Sequence, residues 1–82
     1  MRVDKYLKNS RLIKRRSVAK EACDSGKVSV NGRIAKAGTE VAEGDTVRIE
    51  FGTRIITVRV LDTKDSQRKE DADSMYEVIE NV

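Results

Sequence analysis

Lysine and arginine crowd the first third of this chain at spacings suited to gripping a polyanion. Lys5 and Lys8 stand three apart, and Arg16 and Lys20 four apart, so each pair shares a face where its segment is helical. Like charges at that spacing repel in the free protein. A bound polyanion relieves the repulsion and releases its own counterions. Arg2, Arg11, Lys14, Arg15, Lys27 and Arg33 complete the candidate set. The chemistry on offer is phosphate recognition. Free backbone N–H groups and the positive dipole end of a helix beginning near Ser17 would assist it.

Any one of these cations could be a solvated surface residue. The set is harder to dismiss. From Met1 to Lys36, eleven Lys or Arg stand against three acids, a formal +8. From Ala37 to Val82, six stand against eleven, a formal −5. A small protein so divided can turn one face to nucleic acid and the other away.

Other chemistries lack their residues. There is no histidine and one cysteine, Cys23, so neither an internal disulfide nor a zinc site has its ligands. No nucleophile, base and orienting group converge, and no catalytic residue, metal or cofactor is expected. Cys23 reads as a small buried residue. Asp4 reads as a pairing partner for a nearby Lys or Arg, with Lys8 four residues on. Tyr6, Phe51 and Tyr76 are the only aromatics, too few for a base-stacking platform. No apolar run approaches the roughly 20 residues of a membrane span, and no signal core follows the first residues. A soluble cytoplasmic protein, monomeric and without membrane contact, is expected.

The elements that must carry these side chains can be read in order. Arg2 to Asn9 suits a short helix with Val3, Leu7 and Tyr6 on its apolar face. Arg11 to Arg16 forms the link. Ser17 is placed as the N-cap of a second helix, with Val18/Ala22 and Ala19/Cys23 as its small apolar pairs and Gly26 as its terminator. Lys27 to Val30 alternates as a strand, Asn31-Gly32 signals a type I′ hairpin turn, and Arg33 to Ala35 begins the return. Thr46 to Phe51 and Arg54 to Val60 alternate around a Gly52-Thr53 bend and predict an antiparallel hairpin, with Ile55 on its outer face. Asp62 to Ser74 reads as a loop or a short solvated helix. Tyr76, Val78 and Ile79 leave strand and short helix both open. The fold class is α+β: two short N-terminal helices packed on a small, mainly antiparallel β-sheet. Residues 1–82 are read as one RNA-binding domain.

Three blocks together carry a resemblance: Arg2-Val3-Asp4-Lys5-Tyr6-Leu7, Ser17-Val18-Ala19-Lys20, and Gly26-Lys27-Val28-Ser29-Val30-Asn31-Gly32. They resemble the RNA-binding domain named for ribosomal small-subunit protein S-four, the alpha-L motif. The match covers about residues 2–60, leaving 61–82 as a short acidic extension. Val18 stands where the family usually has arginine after the serine, and Arg15 and Arg16 precede it instead. Within the family the chain is most similar to free-standing, RqcP-type ribosome quality-control proteins, through residues 10–16, Phe51-Gly52 and Met75-Tyr76. The heat-shock protein fifteen group is the near relative, although it usually carries a longer basic tail.

The resemblance implies a non-catalytic factor that binds the large ribosomal subunit obstructed by peptidyl-tRNA. Its partners would be ribosomal RNA, that tRNA, and an RqcH-type factor that tails stalled chains with alanine. It implies an interface on Arg2, Lys5, Lys8, Arg15, Arg16, Lys20 and Lys27, with Arg33 at the edge. Two alternatives stand beside it: a general structured-RNA binder of the heat-shock protein fifteen type, and a protein adaptor using the acidic half.

Overall fold

Residues 1–63 and 72–82 are described by the structure, a computed structural model. Val3–Asn9 forms α1 and Arg16–Asp24 forms α2. Five strands follow: β1 (Val28–Val30), β2 (Arg33–Ile34), β3 (Thr46–Phe51), β4 (Arg54–Val60) and β5 (Tyr76–Asn81). They build one sheet in the order β2-β1-β3-β4-β5, antiparallel throughout. The expected α+β architecture is observed, and the expected β3–β4 hairpin pairs from Thr46↔Arg59 to Phe51↔Arg54.

Apolar spacing explains how the helices seat. Val3, Tyr6 and Leu7 of α1 and Ala19 of α2 are fully enclosed, with Cys23 nearly so. They pack with Val28, Val47, Ile49, Val58, Val60 and Met75 in one core. Cross-strand partners share a face of a sheet. The pairs Val28↔Ile49 and Val47↔Val58 therefore lay one apolar row beneath the helices.

The turns follow from backbone chemistry. Asn31 and Gly32 take φ of 52° and 83°, as a type I′ turn demands. The Asn31 side chain does more than turn the chain. It donates to Asp45 Oδ1 at 3.2 Å and accepts from the Thr46 N–H at 2.9 Å, fastening the hairpin to the start of β3. Gly26, at φ 75°, closes α2 in a Schellman motif. Its N–H reaches the Cys23 carbonyl and the Lys27 N–H reaches that of Ala22, both at 3.0 Å.

Two expectations are corrected, and one open choice is resolved. Ser17 is not the N-cap: α2 starts at Arg16, with extended Arg15 ahead of it and no side-chain cap. The backbone needs only one extended residue before the first turn, and Arg15 supplies it one step earlier. Of the Val18/Ala22 pair, only Ala22 packs against the core. Val18 is 46% exposed because α2 rests on the Ala19/Cys23 side. The open choice at the chain's end resolves to a strand: β5 pairs with β4, with a bulge at Thr57/Val58. Of the segment expected as a loop or helix, Asp73–Met75 is a 3-10 turn. Its residues 64–71, Glu70 included, lie outside the described residues.

Candidate nucleic-acid interface

The site is organised around a buried acid. Asp4, in the first turn of α1, is 2% exposed. Its Oδ2 lies 3.2 Å from Arg2 Nη2 and 3.5 Å from Arg16 Nε, and its Oδ1 accepts the Lys5 N–H at 2.7 Å. Sequence spacing read Asp4 as a pairing partner for a nearby Lys or Arg, and Arg2 is such a neighbour. Arg16, from the second helix, is a partner that spacing along α1 does not reach. No spacing rule links residues 4 and 16; only the packing of α2 against α1 brings them together.

Arg2 is held by its backbone as well. Residues 1–3 run antiparallel to 39–41, with Val3 N–H bonded to the Thr39 carbonyl at 2.7 Å and Val41 N–H to the Met1 carbonyl at 2.8 Å. The side chains of Arg2 and Arg16 are each about half exposed. Each guanidinium thus bonds the carboxylate through part of its donor set while about half of its side chain stays open to solvent.

The other expected cations fall around this centre. Lys5 and Lys8 are half-buried on α1, while Arg11, Lys14 and Arg15 are exposed on the link between the helices. Arg11 has φ 61° where the chain leaves α1, an unusual conformation for a non-glycine. Lys20 is exposed on α2, one turn beyond Arg16. Lys27 precedes β1. Arg33 pairs with buried Val30, so it stands on the helix-bearing face, at the edge strand farthest from β5. The first intrahelical bond of α2 runs from the Ala19 N–H to the Arg15 carbonyl at 3.0 Å. The N–H groups of residues 16–18 therefore have no acceptor inside the helix.

Two buried titratable groups serve the scaffold. Burial pushes the Cys23 thiol up to about 11, with the Asp4 and then the Asp24 carboxylates adding to it. Burial, and then Tyr76, raises the Tyr6 phenol above its ordinary value. That hydroxyl donates to the Met75 carbonyl at 2.8 Å. No helix among the described residues is long and apolar enough to cross a membrane.

Comparison with known proteins agrees with this fold. The S4 domain model matches residues 1–47, which hold both helices, the β1–β2 hairpin and every cation of the candidate set. A protein of Halalkalibacterium halodurans named RQC P-site tRNA stabilizing factor is 55% identical over 78 residues, 95% of this chain and 89% of its own. Its namesake in Streptococcus pneumoniae is 56% identical over 79 residues, 96% of this chain and 90% of its own. Among solved structures, Vibrio cholerae Heat Shock Protein 15 superposes with a TM-score of 0.88 at 30% identity, covering 95% of this chain and 80% of that one. A protein named HP1423 gives 0.81 at 32% identity, covering 95% of each chain. The alpha-L resemblance read from three short blocks thus finds its family model over residues 1–47, and the chain belongs to the S4 domain family, among relatives named RQC P-site tRNA stabilizing factor that it matches over nearly its whole length.

Proposed function

We propose that this chain is an RNA-binding factor of ribosome quality control, and that it holds a tRNA in the P site of an obstructed large ribosomal subunit. The observation that carries the reading is the Arg2–Asp4–Arg16 cluster. One buried carboxylate aligns two half-exposed guanidiniums from different elements in a chain whose relatives are named for P-site tRNA. Their remaining N–H donors, together with the open N–H groups at the start of α2, would take backbone phosphates. Lys5, Lys8, Arg11, Lys14, Arg15, Lys20 and Lys27 extend the contact, with Arg33 at its rim. Ribosomal RNA and the tRNA are both substrates for such a surface, since phosphate contacts fix position without reading sequence.

The finer points follow the same logic. The factor acts without catalysis, as a monomer in the cytoplasm, beside an RqcH-type tailing factor. Residues 1–82 work as one unit, with β5 completing the sheet. Sucrose-gradient fractionation of tagged protein, with sequencing of crosslinked RNA, tests the reading. Crosslinks to large-subunit rRNA and tRNA, and release of the protein on ribonuclease treatment, are expected. Retention on a protein partner after the RNA is digested would replace this reading with that of an adaptor.

A further inference from the structure

A groove between α2 and the β3–β4 hairpin lies apart from the cationic centre. It is open and measures about 280 Å³. Small-molecule sites run to about 300–1,000 Å³, so this one suits one or two side chains better than a cofactor. Val18, Ala22 and Phe51 supply apolar wall, and Glu21, Glu50 and Lys27 stand around it. Val18 is the exposed large apolar residue of α2.

Direction and charge choose the occupant. At 3.6 residues per turn, Lys20 lies about 40° round α2 from Arg16, but Val18 lies about 200° round and Ala22 about 240°. The helix therefore carries its cationic ridge on one side and the groove wall on nearly the opposite side. RNA seated on the Arg16/Lys20 ridge faces away from the Val18/Ala22 wall. The charge balance also reverses there, with two carboxylates to one ammonium. Glu50 contacts Arg48 only at 3.9 Å, with both side chains well exposed, a pairing too weak to remove its charge from play.

We infer that this groove docks a short segment of a protein partner that presents one apolar side chain beside a lysine or arginine. The apolar side chain fills the space between Val18 and Phe51, and the cation meets Glu21 and Glu50. A desolvated anchor with a charged rim is the usual energetic layout of such a contact. Lys27 alone belongs to both surfaces. The inference goes beyond the RNA reading and stands without it.

The test selects a displayed library of random short peptides on the full chain and measures enriched peptides by fluorescence polarisation. The expected consensus is an aliphatic or aromatic residue next to Lys or Arg. Val18→Glu should weaken binding about tenfold or more. Glu21→Lys combined with Glu50→Lys should weaken it several-fold and flatten its salt dependence. Arg16→Ala should leave peptide affinity unchanged, which separates this groove from the RNA surface. Val18→Ser replaces Val18→Glu if melting shows the latter unfolded. No enrichment, a consensus lacking the cation, or peptide binding indifferent to both Val18 variants overturns the inference. So does photocrosslinking of thiouridine-substituted RNA to Phe51.

Discussion

Arg16 Nε lies 3.5 Å from Asp4 Oδ2, the same oxygen that Arg2 Nη2 approaches at 3.2 Å. The residue that opens α2 is thus tied to the residue that precedes α1 through one buried atom. Exposed pairs contribute little, but this carboxylate is almost wholly enclosed and also accepts a backbone N–H. Asp4→Ala should lower the free energy of unfolding in urea by about 1–3 kcal/mol. Asp4→Asn should cost less, because it keeps an oxygen for the Lys5 N–H. Equal losses for the two variants would mean that charge, and not the hydrogen bond, dominates.

Binding to structured RNA should fall steeply with salt. Neutralising about five phosphates gives a slope of roughly −4 for log K against log salt. Lys20→Ala should reduce that slope by about 1 without a change in melting temperature, because its side chain is exposed. Arg16→Ala should weaken RNA binding and also cost up to about 1 kcal/mol of stability through its half-exposed bond to Asp4. Asp73→Lys should leave binding unchanged or slightly tighter. Filter binding across a salt series checks all three.

Tyr6→Phe removes a buried hydrogen bond to the Met75 carbonyl. That carbonyl keeps the Leu61 N–H at 2.9 Å, so it is not orphaned. The expected loss is about 0.5–1.5 kcal/mol, seen in thermal melts. Hydrogen exchange should quicken in β5 more than in β1, since β5 lies next to the lost bond.

The Cys23 thiol should be slow to react with a thiol reagent until the protein is unfolded. Its pKa stands at about 11 in the folded protein against 9.0 as its ordinary value. The neutral form is thus favoured by folding. The associated stability is fully present below pH 9 and is lost as pH rises from 9 toward about 11, where the unfolded chain binds fewer protons than the folded one. Urea titrations at pH 8, 9 and 10 should show the decline. Cys23→Ala should flatten the interval between 9 and 10, below the range in which Tyr6 contributes.

Much of this fold is legible in local pattern, because local pattern is what determines it. Val3 and Leu7 four apart, Asn31-Gly32, and the alternation of Val47 with Ile49 each need only near neighbours to act. What escapes the sequence is set by partners far along the chain. Val18/Ala22 and Ala19/Cys23 are equally good apolar pairs on paper, and only the seating of α2 decides that the second is buried. Tyr76, Val78 and Ile79 fit no single period because β5 is an edge strand with a bulge, and Val78 and Ile79 stay exposed. The cations of the site were visible one by one. The acid that gathers two of them was visible too, but its reach from α1 to Arg16 was not.

The bond from Tyr6 to Met75 spans 69 positions. A growing chain emerges from its N-terminus, so the enclosed phenol of α1 must wait for residue 75 before it finds its acceptor. Closing so long a loop costs entropy before any contact repays it, which slows the final step. Early fragments would carry a full complement of cations on a half-assembled support. The support beneath the cationic surface thus gains this bond only after residue 75 has been made.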